Sequence, residues 1–250
     1  HVASLSSTSA LSYAQKPTGG AWDAETIDAY ASGPSIAADS SGGVHVVYPA
    51  SPSGLAYAYR PPAGGWLVAN PDGLSGAGTT PNSVGVDTAG GVHIVYRRST
   101  CTGATLYSSC GFSCAGPQAA VNLRYGFKPA GGLWTFETAA TQTAESTASG
   151  GPGICGGAVT VDVADVPHIT YGLWDGYYSG GPAKYAWRLG AGSWSEETIA
   201  TFTYSFSASA IAADALGSFH VIYGMSYAHR PAGGGWASES VPTSIVNVVV

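Results

Sequence analysis

The stretch SIAADSSGGVHVVY, Ser35–Tyr48, returns further along the chain as SVGVDTAGGVHIVY, Ser83–Tyr96. In both, a short apolar run ends at an aspartate, a Gly-Gly pair follows, and a histidine leads a second apolar run that ends at a tyrosine. Two such runs separated by a D-x-x-G segment read as a β-hairpin, with the carboxylate accepting backbone N–H groups of the turn. The histidine-led run occurs five times: HVAS at His1, HVVY at His45, HIVY at His93, HITY at His168 and HVIY at His220. A second module follows it each time: LSYAQKPTGGAW (Leu11–Trp22), LAYAYRPPAGGW (Leu55–Trp66), LRYGFKPAGGLW (Leu123–Trp134), KYAWRLGAGSW (Lys184–Trp194) and SYAHRPAGGGW (Ser226–Trp236).

Self-similarity of this kind decides the architecture. Each unit supplies four short strands: an inner one such as SIAAD, the histidine-led one, a third ending in Lys or Arg, and a Trp-led fourth. Trp194 and Trp236 are 42 residues apart, whereas His93 and His168 are 75 apart. The short spacing is that of one propeller blade, and the long one leaves room for loop insertions. The chain is therefore expected to be all-β: a five-bladed β-propeller of four-stranded antiparallel blades. The blades are expected at 1–28 plus 244–250, 35–70, 83–139, 157–199 and 208–241, within one domain. SIVNVVV (Ser244–Val250) aligns with the inner strand of a blade. It is predicted to pair beside the N-terminal three strands, which closes the ring and removes an exposed sheet edge.

Composition excludes several functions. Charged residues make up 10% of the 250, the formal charge is -6, and Arg97-Arg98 is the one adjacent basic pair. A phosphate-backbone partner needs a basic surface, so nucleic acid is not expected. No apolar run reaches the roughly 20 residues of a membrane-spanning helix. The sequence starts at His1 without a leader, which predicts a processed product. Cys101, Cys110, Cys114 and Cys155 lack the paired knuckles of a zinc site and are expected to form two disulfides in an oxidising compartment. The protein is thus expected to be secreted, periplasmic or extracellular, monomeric, and without cofactor or metal.

Trp22–Asp28 (WDAETID), Ser35–Tyr48 and Leu55–Ala58 (LAYA) together resemble a family of secreted bacterial repeat proteins whose copies run W-x-x-E-T-[IV]-D, D-x-x-G-x-x-H-[IV]-x-Y and L-x-Y-A. The chain is similar more loosely to sialidase-type Asp-box repeats, whose spacing it does not match, and to the propellers of some polysaccharide lyases. The resemblance implies a β-propeller over nearly the whole chain.

Residues at repeat positions have scaffold explanations first. Lys16, Arg60, Lys128, Arg188 and Arg230 end the third strands, and Glu25, Glu137, Glu197 and Glu239 stand three residues after the Trp of the fourth. They are expected to pair across the hairpin of their own blade. Asp39, Asp87, Asp162 and Asp214 open the first turn, and the five histidines are expected to bond that turn or its aspartate.

What remains falls in unrepeated loops on the face opposite the short turns: Arg97 to Val121, Thr138 to Gly157, GLWDGYYSGG (Gly172–Gly181) and FTYSF (Phe202–Phe206). The candidate ligand-binding residues are Arg97, Arg98, Trp174, Asp175, Tyr177, Tyr178 and Tyr204, with Glu145 nearby. The strand-end tyrosines Tyr48, Tyr96, Tyr171 and Tyr223 join them. Aromatic faces with a few charged groups suit sugar rings. The inner strands carry acid only at their far ends, which disfavours a glycoside hydrolase needing two carboxylates at the funnel. A lyase would need less: Tyr96 or Tyr171 as base and acid, and Arg97 on a uronate. No G-x-S-x-G, H-E-x-x-H or P-loop is present. The reading is a propeller that binds a glycan or other small polar ligand without catalysis. A polysaccharide lyase or hydrolase is the alternative, and a structural or protein-binding module the second.

Overall fold

The computed structural model of the chain describes residues 1–7, 9–50, 54–74, 83–99, 105–106, 112–114, 119–144, 147–151, 153–174, 180–202 and 209–241. The strands are β1 (Val2–Leu5), β2 (Leu11–Gln15), β3 (Asp23–Asp28), β4 (Ser35–Ala38), β5 (Val44–Ala50), β6 (Gly54–Arg60), β7 (Leu67–Ala69), β8 (Ser83–Val86) and β9 (Val92–Ser99). They continue as β10 (Thr105–Leu106), β11 (Phe112–Cys114), β12 (Ala119–Lys128), β13 (Thr135–Ala144), β14 (Thr147–Gly151), β15 (Gly153–Val161) and β16 (Pro167–Trp174). The last six are β17 (Gly181–Gly190), β18 (Ser193–Phe202), β19 (Ser209–Ala213), β20 (Phe219–Tyr223), β21 (Ser226–Arg230) and β22 (Ala237–Ser240).

They form five antiparallel sheets that match the five repeats, in the orders β1-β2-β3, β4-β5-β6-β7, β8-β9-β12-β13, β15-β16-β17-β18 and β19-β20-β21-β22. A small sheet, β10-β11-β14, joins the two loops Arg97 to Val121 and Thr138 to Gly157. The first sheet has three strands, and the segment expected to complete it, 244–250, lies outside the described residues. No pairing that closes a ring is seen among the described residues.

The first hairpin turn is the same in four sheets. The Asp39 amide donates to the Gly43 carbonyl, and the Asp39 carboxylate accepts the Ser41 and Gly43 amides at 2.9 and 2.8 Å. Gly42 supplies the left-handed backbone, φ 88°. In the fourth sheet that position is Asp165, φ 60°. Its carboxylate accepts the Thr88 amide and hydroxyl of the third sheet, both at 2.8 Å, which offsets the cost of the left-handed backbone.

The core consists of layers between successive sheets, which explains why HVVY is apolar throughout rather than alternating. Val44, Val46 and Tyr48 pack with Leu11 and Tyr13 of the first sheet. Val47, Leu55 and Tyr57, of opposite parity, pack with Val84, Ile94 and Tyr96 of the third. Equivalent layers join the third sheet to the fourth around Tyr125 and Tyr171, and the fourth to the fifth around Tyr185 and Val221. Each fully buried side chain of this kind contributes about 1.5–3 kcal/mol.

The third-strand tyrosine is the hub of each interface. Its ring meets the Trp of the next sheet edge-on: Tyr13 with Trp66, Tyr57 with Trp134 and Tyr125 with Trp194 at 5.1 Å between centroids, and Tyr185 with Trp236 at 5.2 Å. The next sheet's arginine covers the same ring, with Arg60 over Tyr13, Arg188 over Tyr125 and Arg230 over Tyr185. The arginine also reaches the previous sheet's glutamate: Arg60 to Glu25 at 3.1 Å, Arg188 to Glu137 at 2.9 Å and Arg230 to Glu197 at 2.8 Å.

These ion pairs therefore run between sheets, not across one hairpin as the sequence predicts. The register gives the reason. Glu137 lies opposite Tyr125 and Glu197 opposite Tyr185, so each glutamate shares its tyrosine's face, toward the next sheet. The basic residue is three positions on from the tyrosine and points the other way.

The histidines anchor the same tyrosines from within their own sheets. His45, His93 and His168 place Nε2 3.1, 3.1 and 3.0 Å from Asp39, Asp87 and Asp162. Their Nδ1 atoms lie 2.7 Å from the hydroxyls of Tyr57, Tyr125 and Tyr185. A carboxylate only accepts, so Nε2 carries the proton and Nδ1 accepts from the tyrosine hydroxyl. His220 bonds Tyr227 at 2.7 Å and stands 3.7 Å from Asp214, and His1 bonds Tyr13 at 2.6 Å. The histidine-to-aspartate bond matches expectation, whereas the tyrosine partner does not follow from a repeat read one strand at a time.

Burial lowers the pKa of His45, His93 and His168 and outweighs the opposing pull of their aspartates. Burial pushes the Asp39 carboxyl up, but hydrogen bonds from Ser41, the Gly43 amide and His45 prevail and hold it at about 2. A histidine kept neutral in the fold takes up a proton more readily when unfolded. Its contribution is thus present above the unfolded value of about 6.5 and lost as pH falls below it. The unfolding free energy measured in denaturant should fall between pH 7.5 and 5.5. Tyr125→Phe should cost about 1–3 kcal/mol by leaving His93 Nδ1 unpaired. Gly126→Ala should destabilise by about 1–3 kcal/mol, because a Cβ there would lie 2.6 Å from the Phe136 ring and 2.8 Å from Ile94.

Candidate functional site

Tyr48, Tyr96 and Tyr171 lie near the ends of the second strands β5, β9 and β16, which run two or three residues further toward the face of the long loops. All three are buried, and their hydroxyls donate to carboxylates: Tyr48 to Asp28 at 3.0 Å, Tyr96 to Asp72 at 2.9 Å and Tyr171 to Glu196 at 2.5 Å. Burial, then the adjacent carboxylate, raises all three well above the usual tyrosine value. Tyr223 is buried as well. Arg97 is fully buried, donates to the Ile154 carbonyl of the fourth sheet at 2.5 Å, and is lowered by burial to about 10. These five residues, expected to face a ligand, lie in the interior instead. In the third and fourth sheets the second strand has a neighbouring sheet on both sides, and every position from the histidine to the residue after the tyrosine is buried. Tyr48 and Tyr223 are buried too, but Pro49 and Gly224 after them are only partly so.

Arg98 is the first residue of β9 past that enclosure. Its side chain is 23% exposed and bonds Asp72 at 3.1 Å beside the Tyr96 hydroxyl. Trp174, at the end of β16, is partly buried and packs on the layer between the fourth and fifth sheets. Asp175, Tyr177, Tyr178, Tyr204, Glu145, Cys101 and Cys110 lie outside the described residues. Cys155 is fully buried, and no described cysteine is free.

Three carboxylates at this end were not singled out from the sequence: Asp28, Asp72 and Glu196. Asp28 and Asp72 each stand six residues after the Trp of their unit, Asp28 at the end of β3 and Asp72 beyond β7, a recurrence present in the sequence. Glu196 also accepts Lys184 at 3.1 Å. The Tyr171 hydroxyl and Lys184 lower its pKa against burial, so it is a carboxylate and Tyr171 stays protonated. A tyrosine held in this state is not a general base at neutral pH. The Asp-His-Tyr relays have the connectivity of a proton relay, but their tyrosines are buried against the next sheet. Among the described residues no group of three or more His, Cys, Asp and Glu side chains is arranged to hold a metal.

Among the described residues, the opposite, short-turn face carries clefts at two equivalent places, which the sequence does not announce. One, about 440 Å³, lies between the second and third sheets and is lined by Asp39, His45, Tyr57, Tyr59, Thr88 and Lys128, among others. The other, about 270 Å³, lies between the fourth and fifth sheets beside His168, Tyr185, Trp187 and Arg230. They are equivalent positions in the repeat with different contents.

No protein-family profile and no curated protein sequence matches the chain. Solved structures do. The chain superposes on a polysaccharide lyase, an ulvan lyase, with a TM-score of 0.59 and 9% identity over 92% of this chain and 60% of that one. An α-L-arabinanase from Penicillium chrysogenum, solved with arabinobiose, gives a TM-score of 0.55 and 9% identity over 86% of this chain and 68% of that one. AofleA from Arthrobotrys oligospora gives 0.53 and 13% over 99% and 72%. The chain thus spans about 60% of the length of the ulvan lyase it resembles. At such identities the likeness is one of fold: repeated four-stranded antiparallel sheets arranged as in propeller enzymes.

Proposed function

We propose that the chain is an exported, carbohydrate-binding five-bladed propeller that acts without catalysis, through the face on which its long loops lie. Residues 244–250 complete the first sheet and close the ring, and Cys155 pairs with a cysteine of the long insertion to brace that face. The fold is shared with proteins that act on ulvan and arabinan, which supports a saccharide as the ligand class. One observation favours binding over turnover. The tyrosines and the arginine a lyase would use, Tyr96, Tyr171 and Arg97, are solvent-excluded and committed to scaffold bonds. Arg98 and Trp174 remain partly open at the rim, a cation and an aromatic surface of the kind that grips a sugar ring.

The lyase reading keeps one point in its favour, the superposition on an ulvan lyase. The two separate in a screen of plant, algal and bacterial polysaccharides that follows both binding and the appearance of unsaturated chain ends. Saturable binding without new ends is expected, weakened about tenfold by Trp174→Ala or Arg98→Gln with the melting temperature little changed. Unsaturated ends that disappear in Tyr171→Phe would establish the lyase. Absence of binding to any polysaccharide would leave the structural module.

A further inference from the structure

The cleft between the second and third sheets differs from its equivalents in one ion pair. In three other interfaces an arginine of one sheet meets a glutamate of the sheet before it: Arg60 with Glu25, Arg188 with Glu137 and Arg230 with Glu197. Here the basic residue is Lys128, and the position facing it, opposite Tyr57 in the register, is Ala69. Lys128 is half-buried and has no ion-pair partner among the described residues. The contrast with the fourth and fifth sheets is direct. There Arg230 is held by Glu197 at 2.8 Å and by the Gly234 carbonyl at 3.0 Å, and the cleft is about 270 Å³ rather than 440 Å³.

The remaining walls define a ligand. Tyr59 lies against His45, with ring centroids 4.9 Å apart and planes 25° apart, and forms a flat aromatic wall. Ser40 brings a hydroxyl, and the Ser41 hydroxyl donates to Asp39 at 2.6 Å. The carboxylate of Asp39, bonded to its own turn and to His45, stands on the same wall. Both Lys128, without an ion-pair partner among the described residues, and this carboxylate line the cleft. One cation beside one carboxylate suits a monoanion better than a dianion such as phosphate. A volume of this order takes a small ring ligand.

We propose that this cleft is a second binding site, separate from the loop face, and that it takes a saccharide carrying a single carboxylate, a uronic acid, with Lys128 on the carboxylate and Tyr59 under the ring. The missing glutamate is what the ligand's carboxylate replaces.

The test is a calorimetric and NMR titration of the full chain with D-glucuronate, with D-glucose and inorganic phosphate as comparisons. Saturable binding of glucuronate is expected, at least tenfold tighter than glucose or phosphate. Lys128→Gln should weaken it at least tenfold. Ala69→Glu, at an exposed position, should restore the ion pair of the other interfaces, raise the melting temperature and abolish the binding. Trp174→Ala should leave it unchanged, so that loss of the loop-face reading does not touch this one. Equal affinity for glucose, phosphate tighter than glucuronate, or glucuronate binding that survives both Lys128→Gln and Ala69→Glu would overturn the proposal.

Discussion

The interaction on which the rest depends is the grip on the third-strand tyrosine. Tyr57, Tyr125 and Tyr185 each donate a hydrogen bond to a histidine of their own sheet, which is fixed in turn by the aspartate of the first turn. The same rings are met edge-on by the next sheet's tryptophan. One residue thus ties the turn, the hairpin and the neighbouring sheet together. This accounts for the recurrence of Asp, His, Tyr, basic residue and Trp as a set. A tyrosine without its histidine would bury an unmet hydroxyl, and one without its tryptophan would expose a ring edge.

The identity of the basic residue follows the same geometry. Arginine stands where the full clasp forms, at positions 60, 188 and 230, and covers the ring while reaching the glutamate. Its planar fork can do both, and Arg188 meets Glu137 through two nitrogens while Trp194 shares the carboxylate. Lysine stands at positions 16 and 128, where no such pair is seen among the described residues. At 128 the acid is absent from the sequence. At 16 the matching acid is Glu239 of the last sheet, and Trp22 beside it is 58% exposed whereas its four counterparts are half-buried. Lys16 and Glu239 are thus the residue types of one more clasp, and no contact between them is seen among the described residues.

Much of the fold was legible because it is repeated. The five units, their strand order and the aspartate-led turns could be read from SIAADSSGGVHVVY and its copies. Which sheet a side chain faces was harder to read, since a repeat gives the spacing along one blade and says nothing of the rotation to the next. The Arg-to-Glu pairs were for that reason assigned to one hairpin. The strand-end tyrosines and Arg97, expected at the loop face from their place in one blade, are buried because neighbouring sheets pack on their strands. The cleft at Lys128 leaves a fainter mark in the sequence. Its signal is a departure from the repeat, Ala69 in place of Glu, rather than an insertion.

The central claim is that the basic and acidic repeat positions join neighbouring sheets. A double-mutant cycle tests it most directly, with Arg188→Gln combined in turn with Glu137→Gln and with Glu197→Gln, and unfolding free energy as the readout. The structure requires a coupling of about 0.5–3 kcal/mol between Arg188 and Glu137, which are 2.9 Å apart across two sheets, and near-additivity between Arg188 and Glu197. Coupling to Glu197 with additivity at Glu137 would return the pair to a single hairpin and contradict the account.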